Sequence, residues 1–184
     1  MRAGLFAAVL NRPGSLGPAP GKASRGALPL DAVAEPSADA AAHAMLAIDG
    51  NAYRSFNMVL ADRHGAHFLR GLDQGRIEGW RLPPGLHVVT AHDPDDPASP
   101  RGVAHRPRFA AAPVPDPDAG DWAAWAALLA DRSGPPGAAL NVPATGGFGT
   151  VCSALVGLPQ AGPPVWLFAA GPPDQAPFRP VPLP

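Results

Sequence analysis

The sequence predicts an α+β protein built on antiparallel sheets. Short apolar segments recur in pairs around turns that carry Gly or Pro, and helical patterns lie between those pairs. Single strands and helices do not alternate regularly, so a parallel βαβ sheet is disfavoured. The chain of 184 residues is long enough to bury a core, and residues 1–184 read as one domain ending in a Pro-rich tail from 171. The 26 prolines and 21 glycines would make disorder a serious prior. A hydrophobic share of 46% and several periodic segments decide instead for folded elements joined by Pro-rich loops.

Taken in order, Leu5 to Leu10 is a continuous apolar run that stops at a polar Asn. That is the pattern of a strand buried on both faces. Residues 12–23 form a Pro/Gly loop, and Ser24 is placed to cap a helix running to Ala34. Pro36-Ser37 opens a second helix, with Ala41, Met45 and Ile48 at near-helical spacing. Phe56–Ala61 and Ala66–Arg70 flank a Gly-bearing turn and predict a hairpin. A second pair is expected from Arg76–Leu82, the turn Pro83-Pro84-Gly85, and Leu86–Thr90.

An acidic loop follows from Asp93 to Ser99, and then a helix over Arg101–Ala112 that Pro107 interrupts. Trp122, Trp125, Leu128 and Leu129 fall at i, i+3, i+6 and i+7, which predicts an amphipathic helix over Gly120–Arg132. Phe148–Leu158 and Val165–Ala170 read as two closing strands. The tail after Gly171 reads as an extended edge segment.

Charge and cysteine usage narrow the function classes. A formal charge of −1 offers no global attraction to nucleic acid or to an anionic membrane. No stretch approaches the roughly 18 apolar residues of a membrane span. The start has a charge and a short apolar run, as a signal peptide does, but Asn11-Arg12-Pro13-Gly14 follows it in place of a small-x-small cleavage site. The single Cys152 excludes an internal disulfide, and a reducing, cytoplasmic setting fits best.

Three blocks carry a resemblance, in order along the chain. The first is Gly4-Leu5-Phe6-Ala7-Ala8-Val9-Leu10-Asn11-Arg12-Pro13 followed by Ser24-Arg25-Gly26. The second is Tyr53-Arg54-Ser55-Phe56-Asn57-Met58-Val59-Leu60-Ala61-Asp62. The third is Phe148-Gly149-Thr150-Val151-Cys152-Ser153-Ala154-Leu155. Together they resemble the later part of the NRDE family, relatives of transport and Golgi organisation protein 2. That family in turn resembles the N-terminal-nucleophile hydrolases. The resemblance implies a four-layer αββα sandwich of antiparallel sheets whose first strands, with the nucleophile and the Asn-Arg-Asp-Glu motif, are missing here. Asn11-Arg12 runs into Pro-Gly instead of Asp-Glu.

In the cysteine members of that hydrolase superfamily, Asn side chains and a strand Arg hold an oxyanion. Asn11 resembles one such Asn. The second would fall at Thr90-Ala91-His92 and the Arg at Val151, where this chain has no matching donor. The resemblance therefore implies a non-catalytic protein that handles an apolar or anionic ligand, haem or an acyl-CoA among them, with no cofactor required. The ligand-binding candidates are Asn11, Arg12, Thr90, His92, Thr150 and Ser153. The alternative is an amidohydrolase-like enzyme whose Cys-bearing N-terminus precedes Met1. A sandwich without its first strands would also expose a strand edge, so self-association is expected.

Other chemistry-bearing residues have plainer readings. Cys152 lies mid-strand in the predicted pattern and reads as a buried structural thiol. His87 and His92 precede Asp93, Asp95 and Asp96 at no recognised metal-ligand spacing, and a solvated acidic loop is the expectation. Asn11 serves equally as a strand-end residue that bonds the following turn. Trp122 and Trp125 read as core, and Arg101, Arg106 and Arg108 as a solvated helix face.

Overall fold

A computed structural model describes residues 4–134 and 137–183. Two compact units divide between Ser99 and Pro100, and each has its own antiparallel sheet, so the protein is α+β. No helix among the described residues is long and apolar enough to cross a membrane.

In the first unit, β1 (Phe6–Asn11), β2 (Phe56–Asp62), β3 (Gly65–Gly71) and β4 (Glu78–Leu82) form one sheet in the order β1-β2-β3-β4. Every neighbouring pair is antiparallel. The hairpin expected around Asp62–Gly65 is β2–β3, with Asp62 opposite Gly65. Alternate side chains of β2, namely Phe56, Met58 and Leu60, join Leu69 beneath α1 (Ala27–Ala32) and α2 (Ala38–Leu46). Leu28, Ala32, Ala41 and Met45 come down from the helices to close that core. Each large side chain buried this way contributes about 1.5–3 kcal/mol. Gly71 is required opposite Phe56, because a Cβ there would run into the phenyl ring.

Ser37 caps α2 as expected, accepting from the Ala40 amide at 3.1 Å. A second cap comes from outside the helix, where Asp62 at the hairpin turn accepts from the Ala38 amide at 2.8 Å. Asp62 also accepts from the His64 amide at 2.8 Å. Burial pushes the Asp62 carboxyl up, but the amides of Ala38 and His64 and the His64 charge outweigh it and hold it below its usual range. A lowered folded value means stability present above the ordinary carboxylate range and lost as pH falls through the depressed value. Asp62→Ala should therefore cost about 1 kcal/mol at neutral pH, and the gap to the parent chain should close on acidification. Urea melts at neutral and acidic pH check both points.

Several expectations are corrected. The strand at Leu5 to Leu10 is not buried on both faces. Among the described residues β1 is an edge strand, and its side chains are half-buried because only Ala7 and Val9 turn toward the core. Ser24 does not cap a helix that starts at once. Its hydroxyl takes the Gly26 amide in a local turn, and α1 begins at Ala27 without a side-chain cap. Leu86–Thr90 is not a strand, since Asp95 claims its backbone: the Val88 amide donates to the Asp95 carboxylate at 2.9 Å, and the Val88 carbonyl accepts from the Asp95 amide.

The second unit carries α3 (Pro100–Ala111), α4 (Ala123–Ala130) and a sheet of β5 (Ser153–Gly157), β6 (Val165–Ala169) and β7 (Arg179–Pro180), in the order β5-β6-β7. The Pro-rich tail does supply an edge strand, β7. Pro107 is accommodated without ending α3. The helix expected over Gly120–Arg132 is shorter than predicted, and none of its own residues is fully buried. Trp122, its N-cap residue, is the buried one. The strand expected from Phe148 begins only at Ser153, and Phe148, Val151 and Cys152 lie in an exposed loop. Cys152 is thus neither buried nor mid-strand. Phe148 instead exchanges backbone hydrogen bonds with Thr145, in a turn that Gly146 and Gly147 shape with φ of 59° and 81°.

Candidate functional site

Two polar constellations stand out in the first unit, and β1 ends between them. One is a chain of paired charges on the sheet face away from α1 and α2. Asn57, Arg70 and Glu78 are register neighbours across β2, β3 and β4. Arg70 donates to Glu78 from Nε at 2.9 Å and from Nη2 at 2.7 Å, and it pairs with Asp93. The other oxygen of Asp93 takes Arg12 Nη1 at 2.6 Å, and that same nitrogen donates to Asn57 Oδ1 at 2.5 Å. The hydrogen bond to Glu78, and then the Asp93 charge, hold the Arg70 guanidinium above its usual value against the effect of burial.

Asn57 is the hub of this network. It is fully buried, and its amide nitrogen donates to the carbonyls of Thr90 at 2.9 Å and His92 at 2.6 Å. Three residues singled out from the sequence, Arg12, Thr90 and His92, are therefore brought together, but as scaffold. Thr90 and His92 offer backbone oxygens, and the Thr90 hydroxyl is occupied with Ser99 at 2.9 Å. The acidic loop is likewise not a solvated one: Asp93 joins two arginines and Asp95 bonds His87 Nδ1 at 2.6 Å. No group of three or more His, Cys, Asp or Glu side chains able to hold a metal occurs among the described residues.

The second constellation is a cleft of about 440 Å³ beside β1, where Asn11 lies. Val9 and Asn11 form one side, the loop residues 17–19 and 22–26 another, and Arg54 completes it. The loop is positioned by two guanidiniums. Arg25 Nη1 donates to Ser15 Oγ at 2.9 Å and to the Ser55 carbonyl at 2.8 Å, and its Nη2 donates to the Ser15 carbonyl at 2.8 Å. Arg54 Nη2 takes the Gly14 carbonyl at 2.6 Å, and its Nη1 takes that of Leu16 at 2.6 Å and that of Gly17 at 3.2 Å. Positive φ at Gly14 and Gly17, 74° and 80°, lets the chain turn its carbonyls onto that one side chain.

The electrostatics of the cleft are one-sided. Lys22 is paired with Asp73, but among the described residues neither Arg25 nor Arg54 meets a carboxylate. Burial, and then the Arg54 charge, push the Arg25 guanidinium down from its usual value. Two like charges are thus held together in a part-buried cleft, facing only neutral carbonyls and the Ser15 hydroxyl. Val9, Pro18, Ala19 and Ala23 give the same cleft apolar walls.

Of the sequence candidates, Asn11 lines the cleft and Arg12 belongs to the neighbouring network. Thr150 and Ser153 belong to the second unit. The Thr150 hydroxyl accepts from the Val142 amide at 2.8 Å and donates to the Leu140 carbonyl at 3.2 Å, while Ser153 opens β5 opposite Ala169. Two arginines of the second unit are also pinned: Arg101 donates to the Ala139 carbonyl and Arg108 pairs with Asp131. Sequence reasoning missed Arg25 and Arg54 as site residues. For Arg25 a signal existed, since no acidic residue precedes Asp31 while Arg2, Arg12, Lys22 and Arg25 do.

No protein-family model matches the chain, and no curated protein sequence is significantly similar to it.

Proposed function

We propose that this chain is a non-catalytic ligand-binding protein that holds a small molecule by its anionic head in the Arg25–Arg54 cleft. The observation that carries the reading is that two guanidiniums line one cleft and neither bonds a carboxylate among the described residues. The three blocks that resemble the NRDE family support the same class. They point to haem, with its propionates, or an acyl-CoA, with its phosphates, as the ligand type, handled in the cytoplasm. The four-layer αββα architecture belongs to this proposal, and the two antiparallel sheets support it. None of the residues that line the cleft is a cysteine.

Calorimetric titration of the whole chain with inorganic phosphate, haem and a fatty acyl-CoA tests the reading. At least one should bind. Arg25→Gln and Arg54→Gln should each weaken it by roughly 10- to 100-fold, the equivalent of a charge-assisted hydrogen bond of about 1.5–3 kcal/mol. Thr150→Ala should leave affinity unchanged. Folded protein that binds none of the three, or binding indifferent to both arginines, overturns the proposal.

A further inference from the structure

Resting on the cleft as the ligand site, we propose that Arg25 and Arg54 are two-sided: the Nη groups hold the 12–23 loop, the Nε/Nη2 edges take a two-oxygen oxyanion, and binding therefore tightens the loop. The donor count points to this. A guanidinium has five N–H donors. Arg25 spends three, two on Ser15 and one on the Ser55 carbonyl, all from Nη1 and Nη2. Arg54 likewise bonds its loop carbonyls from Nη1 and Nη2 alone. Among the described residues, no hydrogen bond uses the Nε–H of either residue.

The Nε–H together with the remaining Nη2–H forms the lateral fork that matches a carboxylate or a phosphate with two parallel hydrogen bonds. An oxyanion can occupy that fork without displacing the loop. The linkage follows from the walls of the cleft, because Gly17, Pro18, Ala19 and Lys22 are loop residues. A ligand that touches them binds the closed loop better than an open one, and by reciprocity its binding shifts the loop toward closure. Arg54 is the positioning residue of this device, since its one side chain gathers the carbonyls of residues 14 and 16–18.

Hydrogen–deuterium exchange on the whole chain tests the coupling. Peptides covering residues 14–22 are followed alone, with inorganic phosphate, with acetate, and with chloride at matched ionic strength. Phosphate, acetate or both should slow exchange there several-fold, and which of them acts tells a phosphate head from a carboxylate head. Chloride should not. Arg54→Lys keeps the charge but loses the fork and the carbonyl grip, so its loop should exchange fast with or without anion. Arg25→Lys provides the same comparison should the Arg54 variant not fold. Equal protection by chloride means screening alone and overturns the proposal. Calorimetric binding of phosphate with unchanged loop exchange overturns the coupling but leaves the cleft as the site. No binding by any anion in folded protein removes both.

Discussion

Asn57→Leu is expected to destabilise the chain by about 2–6 kcal/mol, from two carbonyls that each lose their donor at about 1–3 kcal/mol. The figure comes from what is left unpaired. The carbonyls of Thr90 and His92 lose their side-chain donor, and Arg12 loses the neutral half of its pairing while keeping Asp93. A buried polar group without a partner costs about 1–3 kcal/mol, and Asn57 and Thr90 are both buried. Asn57→Asp should be no milder. A carboxylate cannot donate to either carbonyl, and it would bring a second negative charge to Arg12 beside Asp93. Urea unfolding of both variants measures the effect, and a loss under about 1 kcal/mol for Asn57→Leu would show that the 90–96 loop does not depend on this residue. The cleft should then lose affinity only in step with the unfolded fraction, because Arg25 and Arg54 bond no member of the network.

That residue also shows where sequence reading stopped. Phe56, Met58 and Leu60 declare themselves by alternation, and the hairpin with β3 follows from them and the Gly65 turn. The α2 helix was legible for the same kind of reason, through its Ser37 cap and the spacing of Ala41 and Met45. Asn57 sits in that same strand and looks like one polar break in an apolar run. Its role depends on Arg12, 45 residues away, and on carbonyls 33 and 35 residues away. No local pattern encodes such a partner. Leu86–Thr90 failed for a related reason: its β-branched residues favour a strand, but the Asp95 carboxylate and amide took the backbone groups a partner strand would need. Phe148–Cys152 failed differently. Apolar side chains suggested a strand, yet Gly146 and Gly147 at positive φ set up a turn and the segment stays exposed. In the cleft, Asn11 was found and the arginines were not, because Arg25 lies in the turn before α1 and Arg54 just before β2, where a lone guanidinium carries no period. Only the lack of nearby carboxylates marks Arg25, and nothing local marks Arg54.

The remaining large effect concerns association, and it follows from the edges of the four-stranded sheet. An edge strand offers unpaired N–H and C=O groups, and proteins usually guard such edges with charge, Pro or cover. The β4 edge is guarded, since it carries Glu78 and Arg81. The β1 edge is not: Phe6–Asn11 has no charge and no Pro, and among the described residues nothing pairs with its outer side. Two copies brought together at β1 in antiparallel register would continue both sheets about a two-fold axis, the closed arrangement that stops at a dimer. Their half-buried Phe6 and Leu10 side chains would gain cover on the face away from the helices. We therefore expect a dimer whose population rises with concentration in size-exclusion chromatography with light scattering. Leu10→Lys, one residue from the exposed strand end at Asn11, adds a guarding charge whose stem can reach water. That variant should run as a monomer and keep most of its stability. A parent chain that is monomeric at every concentration sinks the expectation, and so does a dimer that survives Leu10→Lys unchanged, because pairing at β1 would hold the added charge against the apolar strand of the other copy.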